Sequence, residues 1–398
     1  LNVFITPVFL VYHCISFYFV PCVSAIIGNC LVNCLRCNET CFQWWMFSDK
    51  SFKPDDTSLG NLQHRPAVVN WIRLPDLVDK TNKKLRPMLF DNTIEAADVC
   101  QGGLGDCWLL AAFATLCEKK AFIQNCFITR CYNPRGKYII RLYNRETSSF
   151  YNITIDDYIP CDKNNKPLFT QFNGQEMWPL LLEKAYAKSK GSYSAIEGGR
   201  PLDAMIELTG YLGETCSGPF NHHNFEKFQK YVNKGCLLAA GSVGVDNTRT
   251  HGRDKLKSKI VGGHAYSILD IKTPMLTTKK IRLLKVRNPW GSFEWDGDWS
   301  DNSPLWNKHT GVALEIGKPP EKEDGIFYMS WEDFCRVFDS VDVLYPAYGI
   351  DNLHYRVVEH DGYCGTCRGF VWGCLKYWIC FHGLRVLWLR HTSEELKN

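Results

Sequence analysis

The chain has 398 residues, 45% of them hydrophobic, enough for two or three domains with real cores. Its 46 basic and 42 acidic side chains leave a formal net charge of +4, and no long basic stripe carries interleaved aromatics. That balance excludes nucleic acid as the main partner.

The nineteen cysteines are unevenly spread: Cys14, Cys22, Cys30, Cys34, Cys37 and Cys41 lie near the start, and Cys364, Cys367, Cys374 and Cys380 near the end. An odd total without a compact, regular framework reads as a reduced, cytoplasmic protein. Residues 1–35 hold no Asp, Glu, Lys or Arg. On length they could form a membrane anchor, which is the alternative location. Leu1 in place of Met, the interruptions at Pro7 and Pro21, and the missing basic leader favour a segment that is not native. Residues 48–66 are polar and read as a linker, so globular composition is expected from near Val68.

DCWLLAAFATLCEK predicts an amphipathic helix with Asp106 as N-cap. KYIIRLYN and FYNITIDDYIP predict strands. EMWPLLLEKAYAKSKG predicts a helix that ends before Gly191. CLLAAGSV, GHAYSILDIK and KIRLLKVRN predict strands, and SWEDFCRVF a short helix capped by Ser330 with Asp333 in the capping-box position. Helices dominate the first half and strands the second. The pattern is α+β, with two subdomains meeting near Gly198-Gly199. Residues 347–398 are too few for another full-sized domain. Their Cys364-x-x-Cys367 lacks the second CxxC of a zinc ribbon. The basic run at 253–259 reads as a solvated loop.

Cys107 lies in QGGLGDCWLLAA, where a glycine-rich turn runs straight into a helix. The positive end of a helix dipole favours the thiolate, the reactive form. A solitary Cys is more often a small core residue, but this position favours a nucleophile. His264, in GGHAYSILDI, opens a strand; taken alone, such a His is more often structural. The strand in KKIRLLKVRNPWG ends on Asn288. Paired as a hairpin across the loop near 272–279, the two strands would bring His264 and Asn288 to one end. Asn288 would then fix the imidazole tautomer and leave the other ring nitrogen for the thiol. The order Cys, His, Asn is that of papain-like proteases. Gln101 is expected to donate to the oxyanion beside the Cys107 N–H. Trp290 is expected to shield the His–Asn pair from water.

QGGLGDCWLLAA, LLEKAYAK, GGHAYSI and RNPWG resemble four signature blocks of the calpain protease core, in the family's order, between Arg65 and Tyr345. The resemblance implies an α+β, papain-like two-lobed cysteine protease core. Residues 61–197 would form the helical lobe with Cys107, and 198–346 the β-rich lobe with His264 and Asn288. Residues 1–60 and 347–398 would lie outside it, the latter with no assigned role. The implied activity is calcium-dependent, limited intracellular cleavage of protein substrates through Cys107, His264 and Asn288, with Gln101 at the oxyanion.

The resemblance also implies one calcium ion in each lobe. In the first, Asp98 and Glu183 match carboxylate ligands, and Asp91 and Thr93 match carbonyl donors. In the second, Glu294, Asp301 and Asp324 match carboxylates, and Lys322 a carbonyl. Hard oxygen donors of this kind suit calcium. Ile326 stands where the family usually has Glu, and Ala96 where it has the Arg that pairs with that Glu across the lobes. A weaker second site and looser coupling of closure to calcium are therefore expected. Two other classes stay open. One is a catalytically silent, calpain-like binding protein; the other is a different Cys–His acyl transfer, such as a transglutaminase-type reaction.

Overall fold

The segment 107–117 contains no charged residue, and a helix that is apolar all round belongs in an interior. In the computed structural model it forms helix α1, Cys107–Cys117, with every residue from Trp108 to Cys117 buried. The helix expected to be amphipathic is thus a central one, covered by both lobes. The structure describes residues 46–62, 69–81, 87–90, 94–172, 176–245, 260–277, 280–319 and 322–346. The expectations for residues 1–35, 253–259 and 347–398, and for Asp91 and Thr93, fall outside those residues.

On one side of α1 lie two antiparallel ribbons. Strand β1 (Asn70–Arg73) pairs with β4 (Tyr158–Cys161), and β2 (Lys137–Asn144) with β3 (Ser149–Asp156). FYNITIDDYIP, read as one strand, divides between β3 and β4. The break falls at Asp157, whose buried carboxylate pairs with Arg73. Helix α2 (Trp178–Lys190) closes this lobe and stops at Gly191, whose φ of 102° suits glycine. Its Lys184 is wholly buried against Asp156 and donates to the Tyr158 carbonyl at 2.6 Å.

The first part of the expected linker belongs to this lobe. Asp49 N–H donates to Asp156 Oδ2 at 2.7 Å, Lys188 Nζ meets the Asp49 carboxylate at 2.5 Å, and Phe52 enters the core. The lobe therefore begins before residue 50, not at 61. A polar sequence misled because its acids are spent on buried partners rather than on water.

The second lobe is a six-stranded antiparallel sheet. Its strands are β5 (Leu212–Ser217), β6 (Leu237–Ser242), β7 (Ala265–Lys272), β8 (Leu283–Arg287), β9 (Ile326–Ser330) and β10 (Phe338–Tyr345), in spatial order β5-β10-β6-β7-β8-β9. One face packs on α1. Leu237, Ala239, Ala265 and Leu344 join its core, and Ser267 Oγ donates to Ala111 O at 2.9 Å.

The other face is covered by two more helices, α4 (His222–Asn233) and α5 (Trp331–Val337), through Phe225, Phe228, Trp331 and Phe334. Helix α3 (Pro201–Thr209) bridges the lobes, its Leu202 N–H donating to Asp342 Oδ2 at 3.0 Å. Helices α3 and α4 were not foreseen. Asn221 caps α4 in a capping box that a reading for apolar periodicity passes over.

Strands β7 and β8 form the hairpin suggested by the sequence, with Ser267 opposite Arg287. His264 immediately precedes β7 and Asn288 immediately follows β8, so both stand at one end of the sheet. Among the described residues, no helix is long and apolar enough to cross a membrane.

Candidate active site

The loop before α1 is strapped down. A Cβ on Gly102 would lie 1.9 Å from the Phe169 carbonyl oxygen, so only glycine fits. Gly103 N–H donates to Leu168 O and Gln171 N–H to Cys100 O, each at 2.8 Å. Cys107 opens α1 as a half-buried thiol outside any disulfide, where N–H groups and the dipole both favour an anion. Gln101 N–H donates to Pro289 O at 3.0 Å, which joins this loop directly to the turn after Asn288. Gln101 Nε2 donates to Leu104 O at 2.8 Å and has a second hydrogen for another acceptor.

Asp106 holds the N-cap position but makes no capping bond, contrary to expectation. Its wholly buried carboxyl faces Glu183 of α2. Burial first, and then the Glu183 charge, push Asp106 well above the usual carboxylate range. Burial beside the Glu183 carboxyl thus favours the protonated form of Asp106. Glu183 accepts from Thr170 N–H at 3.0 Å and from the Thr170 hydroxyl at 2.7 Å.

His264 is fixed by its backbone. Its N–H donates to Ser242 Oγ at 3.0 Å, and its carbonyl accepts from Ser242 N–H at 2.9 Å. Nε2 lies 3.0 Å from Asn288 Oδ1. The Asn288 amide is oriented by separate contacts. Its Nδ2 donates to Phe293 O at 3.0 Å, and its Oδ1 accepts from Trp290 N–H at 3.1 Å. An acceptor oxygen opposite Nε2 requires Nε2 to carry hydrogen, so Nδ1 holds the lone pair of the neutral ring. The Trp290 ring centroid lies 4.8 Å from that of the imidazole, and Tyr266 meets the imidazole edge-on at 5.0 Å. Gly291 turns the chain with φ 67°, and a Cβ there would lie 2.9 Å from Cys100 Sγ.

A buried thiol-bearing helix, an Asn-fixed imidazole and an NPW turn are arranged in chain order across two lobes. A family model described as calpain family cysteine protease matches residues 47–345. The chain belongs to the calpain family of cysteine proteases. It is 37% identical to the calpain-type cysteine protease DEK1 of Arabidopsis thaliana over 370 residues, 88% of this chain and 16% of that protein. It is 32% identical to calpain-9 of Homo sapiens over 340 residues, 82% of this chain and 48% of that protein. The calpain-1 catalytic subunit of Rattus norvegicus is 32% identical over 308 residues, 75% of this chain and 42% of that protein. The chain thus spans less than half the length of these calpains, although their shared core lies within it. The α+β, papain-like fold expected from the sequence is that of the family.

The residues matched to calcium ligands fare unequally. Asp98 ends a short 3-10 turn, with its Oδ2 accepting from Glu95 N–H at 2.7 Å. The Glu183 carboxylate is committed to the Thr170 N–H and hydroxyl. Asp98 and Glu176 both act on the Cys117 thiol, which burial first and then the Asp98 charge push well up. Glu176 also pairs with Met88, on the chain leading to residues 91–93. It stands two residues before the Trp that opens α2, and that position is the signal that could have found it. Two carboxylates beside a loop suit a hard cation.

In the second lobe, Glu294 and Asp301 line one hollow of about 570 Å³ with Asp296, Asp298, Lys322 and Glu323. Glu294 Oε1 accepts from the N–H groups of Asp324 and Gly325, both at 2.7 Å, and Asp324 Oδ1 accepts from Ile326 N–H at 3.0 Å. Burial raises the Glu294 carboxyl above its usual range. These acids share a hollow rather than a formed cage. Among the described residues, no three His, Cys, Asp or Glu side chains stand close enough to hold a metal ion. The donor chemistry of these acids fits calcium.

Proposed function

We propose that the chain is a calcium-responsive cysteine endopeptidase acting through Cys107, His264 and Asn288. The observation that carries this reading is the Asn288 amide, whose separate anchors orient its oxygen toward His264 Nε2. With Nε2 carrying hydrogen, Nδ1 is the basic nitrogen and takes the Cys107 proton. The thiolate attacks a peptide carbonyl carbon. The oxygen, now negative, is met by the Cys107 N–H and the free hydrogen of Gln101 Nε2. The C–N bond breaks as His264 gives its proton to the leaving amine, and a thioester remains on Cys107. Water, deprotonated by His264, attacks that thioester; the acid departs and the thiol is restored. Trp290, tilted against the imidazole at 4.8 Å, keeps bulk water from the His–Asn hydrogen bond.

Asp98 and Glu176 would hold calcium in the first lobe, and Glu294, Asp301 and Asp324 in the second. Calcium, when bound, supplies positive charge that draws the acidic loops together and so favours closure of the lobes. Protein segments in extended form are the proposed substrates. A reducing, intracellular setting suits the cysteines, since none among the described residues is in a disulfide.

The test is hydrolysis of a fluorogenic peptide by the whole chain and by Cys107→Ala, with calcium or with chelator. Calcium-dependent cleavage that vanishes in Cys107→Ala is the expected result. Cleavage indifferent to chelator would remove the calcium part of the reading. No cleavage by a folded chain in either condition would favour a silent, binding role.

A further inference from the structure

Arg287 ends β8, one residue before Asn288, and its side chain is fully buried. Among the described residues it has no carboxylate within salt-bridge distance. Nη2 donates to Val99 O, in the other lobe, at 2.8 Å, while Nε and Nη1 find no hydrogen-bond partner among the described residues. The Cys100 thiol lies against the same guanidinium, and the carboxylates of Asp98 and Asp324 act on it from opposite lobes. A buried cation without a direct anionic partner is costly, and an apolar residue of similar size commonly serves stability as well. Stability therefore does not account for Arg287, whereas its place does. Val99 lies two residues before Gln101, and Gln101 N–H donates to Pro289 O at 3.0 Å. The two hydrogen bonds form a clip between residues 99–101 of one lobe and 287–289 of the other. Arg287 is opposite Ile326 in the β8–β9 register.

We propose that Arg287 is a positioning residue that holds the Gln101–Cys107 loop in register with Asn288 and His264. This rests on the triad reading above. Its fixed fork reaches Val99 O while the backbone beside it carries Asn288, so the nucleophile loop and the orienter move as one unit. Lys, with a single ammonium on a flexible stem, cannot hold the same geometry.

The test uses the whole chain with calcium and compares wild type, Arg287→Lys and Arg287→Met. Alkylation of Cys107 by iodoacetamide is followed against pH on the Cys107 peptide by mass, together with kcat and KM. In the wild type the alkylation midpoint is expected below the value of about 8.5 for a free thiol. In Arg287→Met it moves up toward that value. At the same time kcat falls by about tenfold or more, and KM changes less than about twofold. Arg287→Lys falls between the two. A folded Arg287→Met with the wild-type alkylation profile and kcat would overturn the proposal. If Arg287→Met does not fold, the Lys variant decides in the same way: an intermediate profile supports the proposal and a wild-type profile overturns it. An ordinary free-thiol profile in the wild type would sink the triad reading, and this inference with it.

Discussion

Two groups of carboxylates, one in each lobe, are built on opposite terms. Behind the nucleophile, Asp106 and Glu183 are sealed from water, burial pushes both carboxyls up, and Glu183 accepts from the Thr170 N–H and hydroxyl. In the second lobe, Glu294 and Asp301 line an open hollow with three further acids and one lysine. Sequence treats all of them as acids of one kind. Burial separates them, because a dry carboxyl pair lowers its energy by keeping a proton, whereas a wet group of charges can be neutralised by a cation. The first pair thus belongs to the buried frame behind α1, whereas the second group faces solvent.

The largest expected effect breaks the sealed pair. Glu183→Ala removes the acceptor of Thr170 and leaves a cavity beside α1. It should destabilise the fold by about 3 kcal/mol, read as a lower urea midpoint with unchanged m-value. Glu183→Gln, which keeps shape and an acceptor oxygen, should lose much less. A loss in Glu183→Ala no greater than in Glu183→Gln would show that the pair is not structural.

A smaller effect is expected in the hollow. Glu294→Gln keeps an acceptor for the Asp324 and Gly325 N–H groups but removes a charge. It should raise the calcium concentration for half-maximal cleavage by about tenfold while leaving the chelated Tm nearly unchanged. An unaltered calcium response, or a large drop in Tm, would erase the contrast between the two groups.

The smallest effect concerns pH. Asp106 and Glu183 both have raised folded values, Glu183 to about 7. Their contribution to stability is therefore full below the unfolded values near 4 and is lost as pH rises through the folded ones. Asp106→Asn replaces a titrating carboxyl with an amide that does not titrate. Its Tm should fall less steeply than that of the wild type between about pH 5 and 8. Parallel Tm curves for the two proteins would refute the raised carboxyl at Asp106.

Much of the candidate site was legible because it is local. The glycine-rich run into Cys107, the glycines before His264 and the strand ending on Asn288 each announce their place by turn chemistry and by period. The fold class followed from the order of helices and strands. The misreadings share one cause. Glu183 lies in the block LLEKAYAK and looked like a metal acid, but α2 turns it inward onto Thr170 and Asp106. Glu176, seven residues earlier, lies beside Met88 through a pairing that no local pattern records. The polar residues around Asp49 read as a linker because their partners, Asp156 and Lys188, are more than a hundred residues away.

Sequence by itself determined which residues could do the chemistry: one thiol at a helix start, one imidazole and one amide at strand ends, and acids enough for a hard cation. These are properties of residue type and of neighbours a few positions apart, which periodicity and turn propensity express. Only the tertiary structure decided which acids face water and which face each other, and that Arg287 reaches across the lobes to Val99. Both depend on burial and on contacts between distant segments, and a carboxyl or guanidinium changes its role entirely when water is removed from it.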